Sequence, residues 1–275
     1  RRPHWLWTMW LVSACTLTPA PVAEELTASG DQQCLAAVAA FRAQPTDATL
    51  ALTATRLLFV TADEAVQNAL LEVARSLSSP DVAAVLAADR LLPAKVRERV
   101  VSLATTGAEI AEAAVAALAR ESDQAVLAAR VDAQVYLALH LSFVAWANGP
   151  VASLMAGYAT RIVAAMEAAL ALDPFSDHGA PLRLRGRFLA RAPWPVGDLK
   201  KARELLTRAV KHAPLPIHHL FLGDALFALG EQPAAIQQWQ SVLLAKPDAT
   251  TASVAMMHRE MAQLRLRAAG QLPNK

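Results

Sequence analysis

Arg183, Arg187 and Arg191 stand four residues apart. On a helix that spacing stacks them along one face. A guanidinium is planar and always charged, and it grips a carboxylate through two parallel hydrogen bonds, which a lysine ammonium does not do. Aromatic and aliphatic residues recur at helical spacing on either side, with Tyr136, Leu139, Phe143 and Trp146 before the arginines and Ile217, Leu220, Asp224 and Phe227 after them. If these positions line one groove, a largely apolar wall stands beside a cationic stripe. That suits an amphipathic acid or an acidic peptide segment. Two plainer readings stand beside it. The arginines form a solvated face or pair with Asp224, and Phe143 and Trp146 belong to the core.

The other reactive residue types are isolated. His140 lies in the apolar run YLALHLSF, where a hydrogen-bonded core histidine is the expectation. His218 and His219 are adjacent, so they point to different sides of a helix, the wrong geometry for chelation. Asp177 and His178 fall between helices and are placed to cap the next one. Trp194, between Pro193 and Pro195, is either a packed loop anchor or an exposed contact residue. The sequence carries no H-E-x-x-H, G-x-S-x-G, C-x-x-C, phosphate loop or G-x-G-x-x-G. No pair of carboxylates stands out for acid–base work. The expectation is a binding protein and no enzyme, with no cofactor and no metal.

Cys15 has a different chemistry. Arg1 and Arg2 precede an apolar run from Trp5 to Ala14, which ends in Val12-Ser13-Ala14-Cys15. The run is shorter than the ~20 residues that span a bilayer, and it fits the core of a secretory signal. Its end resembles a bacterial lipobox, in which small residues admit the peptidase and the Cys thiol carries the lipid. Residues 1–14 are then a cleaved signal peptide, and residues 15–30, rich in Thr, Pro, Ser and Gly, are the lipidated Cys and a tether. Thr16 rather than Asp follows the Cys, so the resemblance implies an outer-membrane lipoprotein facing the periplasm. Cys34 is then left without a disulfide partner, as a small apolar residue in a helix.

Something must hold these residues in place, and composition says it is helical. Of the residues, 55% are hydrophobic but only 5% aromatic, and Ala, Leu and Val dominate, which favours helices over a large β-architecture. The net charge of +2 excludes the basic face of a dedicated nucleic-acid binder. After residue 31 apolar residues recur at three- and four-residue spacing. Pro, Gly, Asp and Ser break the pattern at Pro45-Thr46-Asp47, Ser79-Pro80-Asp81, Pro93, Ser122-Asp123, Asn148-Gly149-Pro150, Asp173-Pro174, Pro214, Gly230 and Lys246-Pro247-Asp248. The pieces between are short. Many short antiparallel helices in series predict a solenoid of helical pairs rather than a four-helix bundle. Ala-rich faces also suit packing between copies of the chain, with nothing fixing a number.

The C-terminal third carries a repeat. Residues 216–247 fit the tetratricopeptide pattern of ~34 residues. His219 takes the Trp place, Leu222-Gly223 the Leu-Gly pair and Leu226 the Tyr place. Gly230 makes the turn, Ala235 is the small residue, Trp239 replaces Phe and Pro247 ends the second helix. Gly186, Leu189, Ala202, Leu206, Ala209 and Pro214 repeat the scheme one unit earlier. There Arg185 stands in place of Leu, and an insertion in the turn holds Pro193-Trp194-Pro195 ahead of Gly197-Asp198. A weaker unit spans about residues 136–174, with Leu141-Ser142, Ala169 and Pro174 and a longer turn. The segment 251–270 reads as a capping helix. Residues 31–130 form a divergent helical-pair region, and residues 131–270 hold the repeats and the cap. In such arrays the first helix of each pair lines the concave groove. That places the arginine stripe and its aromatic neighbours there.

From Tyr136 to Pro247 the chain resembles the TatT-like proteins, the tetratricopeptide lipoproteins associated with TRAP transporters. The run ALALDPFSDHGAPLRLRGRFLARAPWPVGDLKKARELLTRAVKHAP and the stretch HHLFLGDALFALGE carry the resemblance, and the lipobox agrees with it. It implies an envelope-anchored, all-helical protein working beside a periplasmic solute-binding protein, its partner; a ligand held in the groove is a further expectation from the residues lining it. Repeat similarity specifies fold more closely than function. The competing expectation is a scaffold lipoprotein that organises an outer-membrane, secretion or motility assembly.

Overall fold

The computed structural model describes residues 29–273, except positions 79, 122 and 246–251. Among these residues all regular structure is helical. The helices are α1 (Ser29–Ala43), α2 (Ala48–Ser76), α3 (Val82–Leu86), α4 (Ala94–Leu118), α5 (Leu127–Asn148), α6 (Pro150–Met155), α7 (Tyr158–Leu172), α8 (Ser176–Arg191), α9 (Leu199–His212), α10 (Pro216–Ala228), α11 (Gln232–Leu244) and α12 (Ala252–Ala268). The expected signal peptide 1–14 and the lipidated Cys15 lie outside the described residues, as does Pro247. The segment expected as a tether already enters helix at Ser29 and Gly30.

Local chemistry explains most boundaries. Asp47 caps α2 by accepting from the Thr49 and Leu50 amides at 2.8 and 3.1 Å. Asp81 and Asp198 cap α3 and α9 in the same way. Proline occupies the first turn of α6, α10 and α11, where its missing N–H costs nothing. Gly230 turns the chain after α10 with φ +82°.

Two expectations are corrected. The helices of the N-terminal region are not short: α2 runs 29 residues and α4 runs 25. No Pro interrupts either helix, and the one internal glycine, Gly107, stays helical. Asp177 and His178 do not cap α8. They and Gly179 adopt left-handed backbone (φ 43°, 56° and 88°) that kinks the chain ahead of Pro181.

Consecutive helices pack as pairs, and the close approaches are made by small residues. In the α8/α9 pair Gly179 lies against Ala209 while Gly186 lies against Ala202 and Leu206, so the two helices run antiparallel. A Cβ on Gly223 of α10 would fall 2.4 Å from Trp239 Nε1 of α11, so only glycine admits the indole. Gly107 of α4 does the same for the His140 ring of α5, which a Cβ would meet at 2.1 Å.

The row of helices also closes on itself. Helix α2 touches α5, α5 touches α8, α8 touches α10, α10 touches α12, and α12 returns to α2 and α3. Two main cores follow this path. One joins α1, α2, α4 and α5 around Leu58, Leu103 and Ile110, with Phe143 and Trp146 packed at its edge. The other joins Leu71 of α2 and Val82 of α3 to Trp239, Leu220 and Leu266 of the C-terminal helices. Among the described residues α4 alone is long and apolar enough to cross a bilayer, and it is packed between α2 and α5.

Candidate functional site

The arginines of α8 each meet a different partner from another helix. Arg191 reaches the end of α3 and the turn beyond it, donating to the Leu86 carbonyl at 2.7 Å and to Asp89 at 2.6 Å. Arg187 donates to Asp224 of α10 at 2.8 Å and lies 4.4 Å over the Phe221 ring. Arg183 meets no carboxylate within ion-pair distance. Its Nη1 donates to His218 Nε2 at 3.0 Å. The His218 Nδ1 lies 2.7 Å from the Ala213 carbonyl, so Nδ1 carries the hydrogen and Nε2 is free to accept.

Asp224 is the hub of this region. It is 5% exposed and takes hydrogen bonds from Arg265 Nε at 2.6 Å, Arg265 Nη2 at 3.0 Å, Arg187 at 2.8 Å and Trp239 Nε1 at 3.2 Å. Burial works to raise its carboxyl, but Arg265 and Arg187 outweigh burial and hold it below the ordinary range. Arg187 is itself pushed down to about 10 by burial, against the pull of Asp224.

Two guanidiniums, those of Arg187 and Arg265, therefore share one buried carboxylate. The histidines beside them are neutral. Burial, then the Arg183 charge, lowers His218 to about 4. Burial, then Arg183 and Arg265, lowers His258 of α12 to about 4 as well. Tyr136 of α5 lies within electrostatic reach of Arg183. Burial raises its phenol, and the charges of Arg56, Asp132, Asp177 and Arg183 all reach it. On its other side Tyr136 meets Phe59 of α2 (centroids 5.9 Å), which stacks on Phe143 at 5.7 Å.

The remaining sequence candidates scatter. Phe143 and Trp146 are half-buried against the first core. Phe227 leans on Trp239, with ring centroids 5.9 Å apart, and Leu220 is core. His140 is fully buried, its Nε2 2.9 Å from the Thr55 carbonyl. His219 faces away from His218, to Gln238 of α11. Trp194 is 89% exposed. Its turn is held from both ends, since the Ala192 amide donates to Phe188 at 2.8 Å and the Asp198 amide to Leu189 at 3.1 Å. Gly197 packs so tightly there that a Cβ would strike the Ala192 carbonyl oxygen at 2.0 Å.

Sequence reasoning missed Arg265, His258, Phe59 and Asp63. The first two sit on α12, where the apolar spacing signalled only a cap. Asp63 lies on α2 with Gln67 donating to it at 3.1 Å, and burial raises its carboxyl to about 6. Among the described residues no group of His, Cys, Asp and Glu is arranged to hold a metal. No protein-family model matches the chain, and no characterised protein matches it either.

Proposed function

We propose that the chain is an envelope-anchored lipoprotein of the periplasm, lipidated at Cys15, that acts as the protein-binding accessory of a TRAP-type solute transporter. Helical pairs of tetratricopeptide type form its body, with α12 as the cap. The observation that carries the partner-binding part is Trp194. A large aromatic side chain held in water on a braced turn is a binding anchor in waiting, because its burial by a partner removes apolar area from water at little cost in ordering. The lipobox and the resemblance from Tyr136 to Pro247 support the address and the choice of a solute-binding protein as partner.

The arginine stripe is the weaker place to look for that partner. Arg187 and Arg191 already satisfy Asp224 and Asp89. Reversing the charge at Arg187 would set a second carboxylate beside a buried one, so lost binding would report damage to the fold.

A second reading has its own support. Val151, Leu154 and Met155 are all exposed on α6, between Gly149 and Gly157. A second apolar contact surface suits a scaffold within a larger envelope assembly.

Crosslinked affinity capture from native envelope, with mass-spectrometric identification, tests the choice. Recovery of a periplasmic solute-binding protein, lost in Trp194→Ala, is the expected result. Recovery of an integral or multi-subunit machine instead would replace the transporter reading with the scaffold.

A further inference from the structure

Helix α6 turns three apolar side chains into solvent. Val151, Leu154 and Met155 are all exposed, Met155 most of all at 85%, and their spacing puts them on one face of the helix. The opposite face is fixed, because Ser153 is buried and donates to the Ala145 carbonyl of α5 at 2.6 Å. Half-buried Trp146 and Tyr158 stand on either side of α6. From residue 133 through residue 160 the sequence holds no Lys, Arg, Asp or Glu. An exposed apolar cluster marks a contact with a partner or a membrane, and flanking Trp and Tyr are typical of a membrane–water boundary.

The chain enters the fold at the same end. Helices α4 and α5 are antiparallel, since the segment 119–126 is too short to return along α4. Gly107 of α4 lies against the His140 ring of α5. Counting eight residues back from Gly107 and eight forward from His140 sets Arg99 level with Asn148, the last residue of α5. Arg99 donates to Asp31 of α1 at 2.7 Å. Helix α1 therefore begins at the end of the first core that carries α6. Cys15 stands 14 residues ahead of Ser29, so a lipid there would hold this end within about 50 Å of its bilayer.

This end is also cationic. Residues 90–99 hold Arg90, Lys95, Arg97 and Arg99 against a single acid, Glu98. Arg90 and Lys95 are exposed, and so is Leu91 between them. Apolar side chains beside basic ones suit the headgroup region of an anionic bilayer. A second copy of the chain would bring like charge to the same patch.

We propose that α6, with Leu91 and the basic start of α4, makes a second, non-covalent contact with an anionic phospholipid bilayer. The proposal takes the envelope address from the reading above, but the contact is made by α6 and not by the lipid on Cys15.

The test is photo-crosslinking of the full-length protein, purified from bacterial envelope and reconstituted with vesicles of phosphatidylethanolamine and phosphatidylglycerol. A benzophenone side chain replaces Met155 or, as control, Leu244, which is also strongly exposed. Flotation reports vesicle binding, and intact mass reports the state of Cys15. A phospholipid adduct is expected from position 155 and none from position 244. The yield from 155 is expected to fall about threefold or more when phosphatidylcholine replaces phosphatidylglycerol. Arg90→Glu combined with Lys95→Glu is expected to lower it similarly, with an unchanged melting temperature. An adduct from 155 on a chain whose Cys15 is unmodified would uphold the contact and overturn the lipid anchor. A floating chain without an adduct from 155 would overturn the contact alone. Adducts from 155 with protein only, equal yields from the two vesicles, or no flotation at all would each overturn the contact as well.

Discussion

Arg265 of α12 closes a two-pronged grip on Asp224 of α10, with Nε at 2.6 Å from one carboxylate oxygen and Nη2 at 3.0 Å from the other. Both side chains are buried, and 41 residues separate them in sequence. The pair locks α12 to α10. Removing one partner leaves the other charge buried alone, which is far worse than never having had the pair. Asp224→Ala should therefore destabilise the fold by about 3–5 kcal/mol, read as a lower urea midpoint at an unchanged slope. Arg187→Met should cost less, because Arg265 still holds the carboxylate.

That relationship marks the limit of what was legible in the sequence. Short-range physics was readable. Gly223, Ala235 and Trp239 announced a close helix crossing, and Asp47 and Asp81 announced helix starts. These depend on neighbours a few residues away. The arginine stripe was readable as one face of α8, but what that face meets was not. Its partners come from α10 and from the segment after α3, and pairing across such distances leaves no periodicity. Asp224 was named among the alternatives only because it falls in the next expected repeat. Arg265 and His258 went unseen because α12 carries an ordinary apolar stripe, and ring closure by α12 onto α2 leaves no local trace.

The glycines at helix crossings give the sharpest packing test. Gly223→Ala would drive a Cβ to 2.4 Å from the Trp239 indole nitrogen, and Gly107→Ala one to 2.1 Å from the His140 ring. Alanine is the better helix former at both places, so propensity alone predicts a gain. Overpacking wins here, and each variant should lose about 2–3 kcal/mol. Thermal unfolding monitored by circular dichroism reads the sign directly.

Acid should weaken the fold through three histidines. Burial lowers His140, His218 and His258 to about 4 from an ordinary 6.5. The unfolded chain then binds protons that the folded chain refuses. Stability from these groups is full above pH 6.5 and is lost as the pH falls from there to 4. Each contributes on the order of 1–3 kcal/mol over that window. Urea midpoints measured across it should fall, and His258→Gln should make the fall shallower.

Asp63 should act in the opposite direction. Burial raises its carboxyl to about 6 from 3.8, against the hydrogen bond from Gln67. The folded state favours the protonated acid, so its contribution is full below pH 3.8 and is lost as the pH rises through 6. Asp63→Asn should stabilise the protein at pH 8 by on the order of 1–2 kcal/mol and make no difference below pH 3.8. The pair of melting temperatures at those two pH values checks it.

The central claim is that Trp194 is where a periplasmic solute-binding protein docks. The most direct measurement is site-specific photo-crosslinking in living cells, with a benzophenone side chain introduced at position 194 and, as control, at Leu244, which is also exposed. The account predicts an adduct with a solute-binding protein from position 194 and none from position 244. Adducts from 194 with a multi-subunit envelope machine, or no adduct from 194 at all, would contradict it.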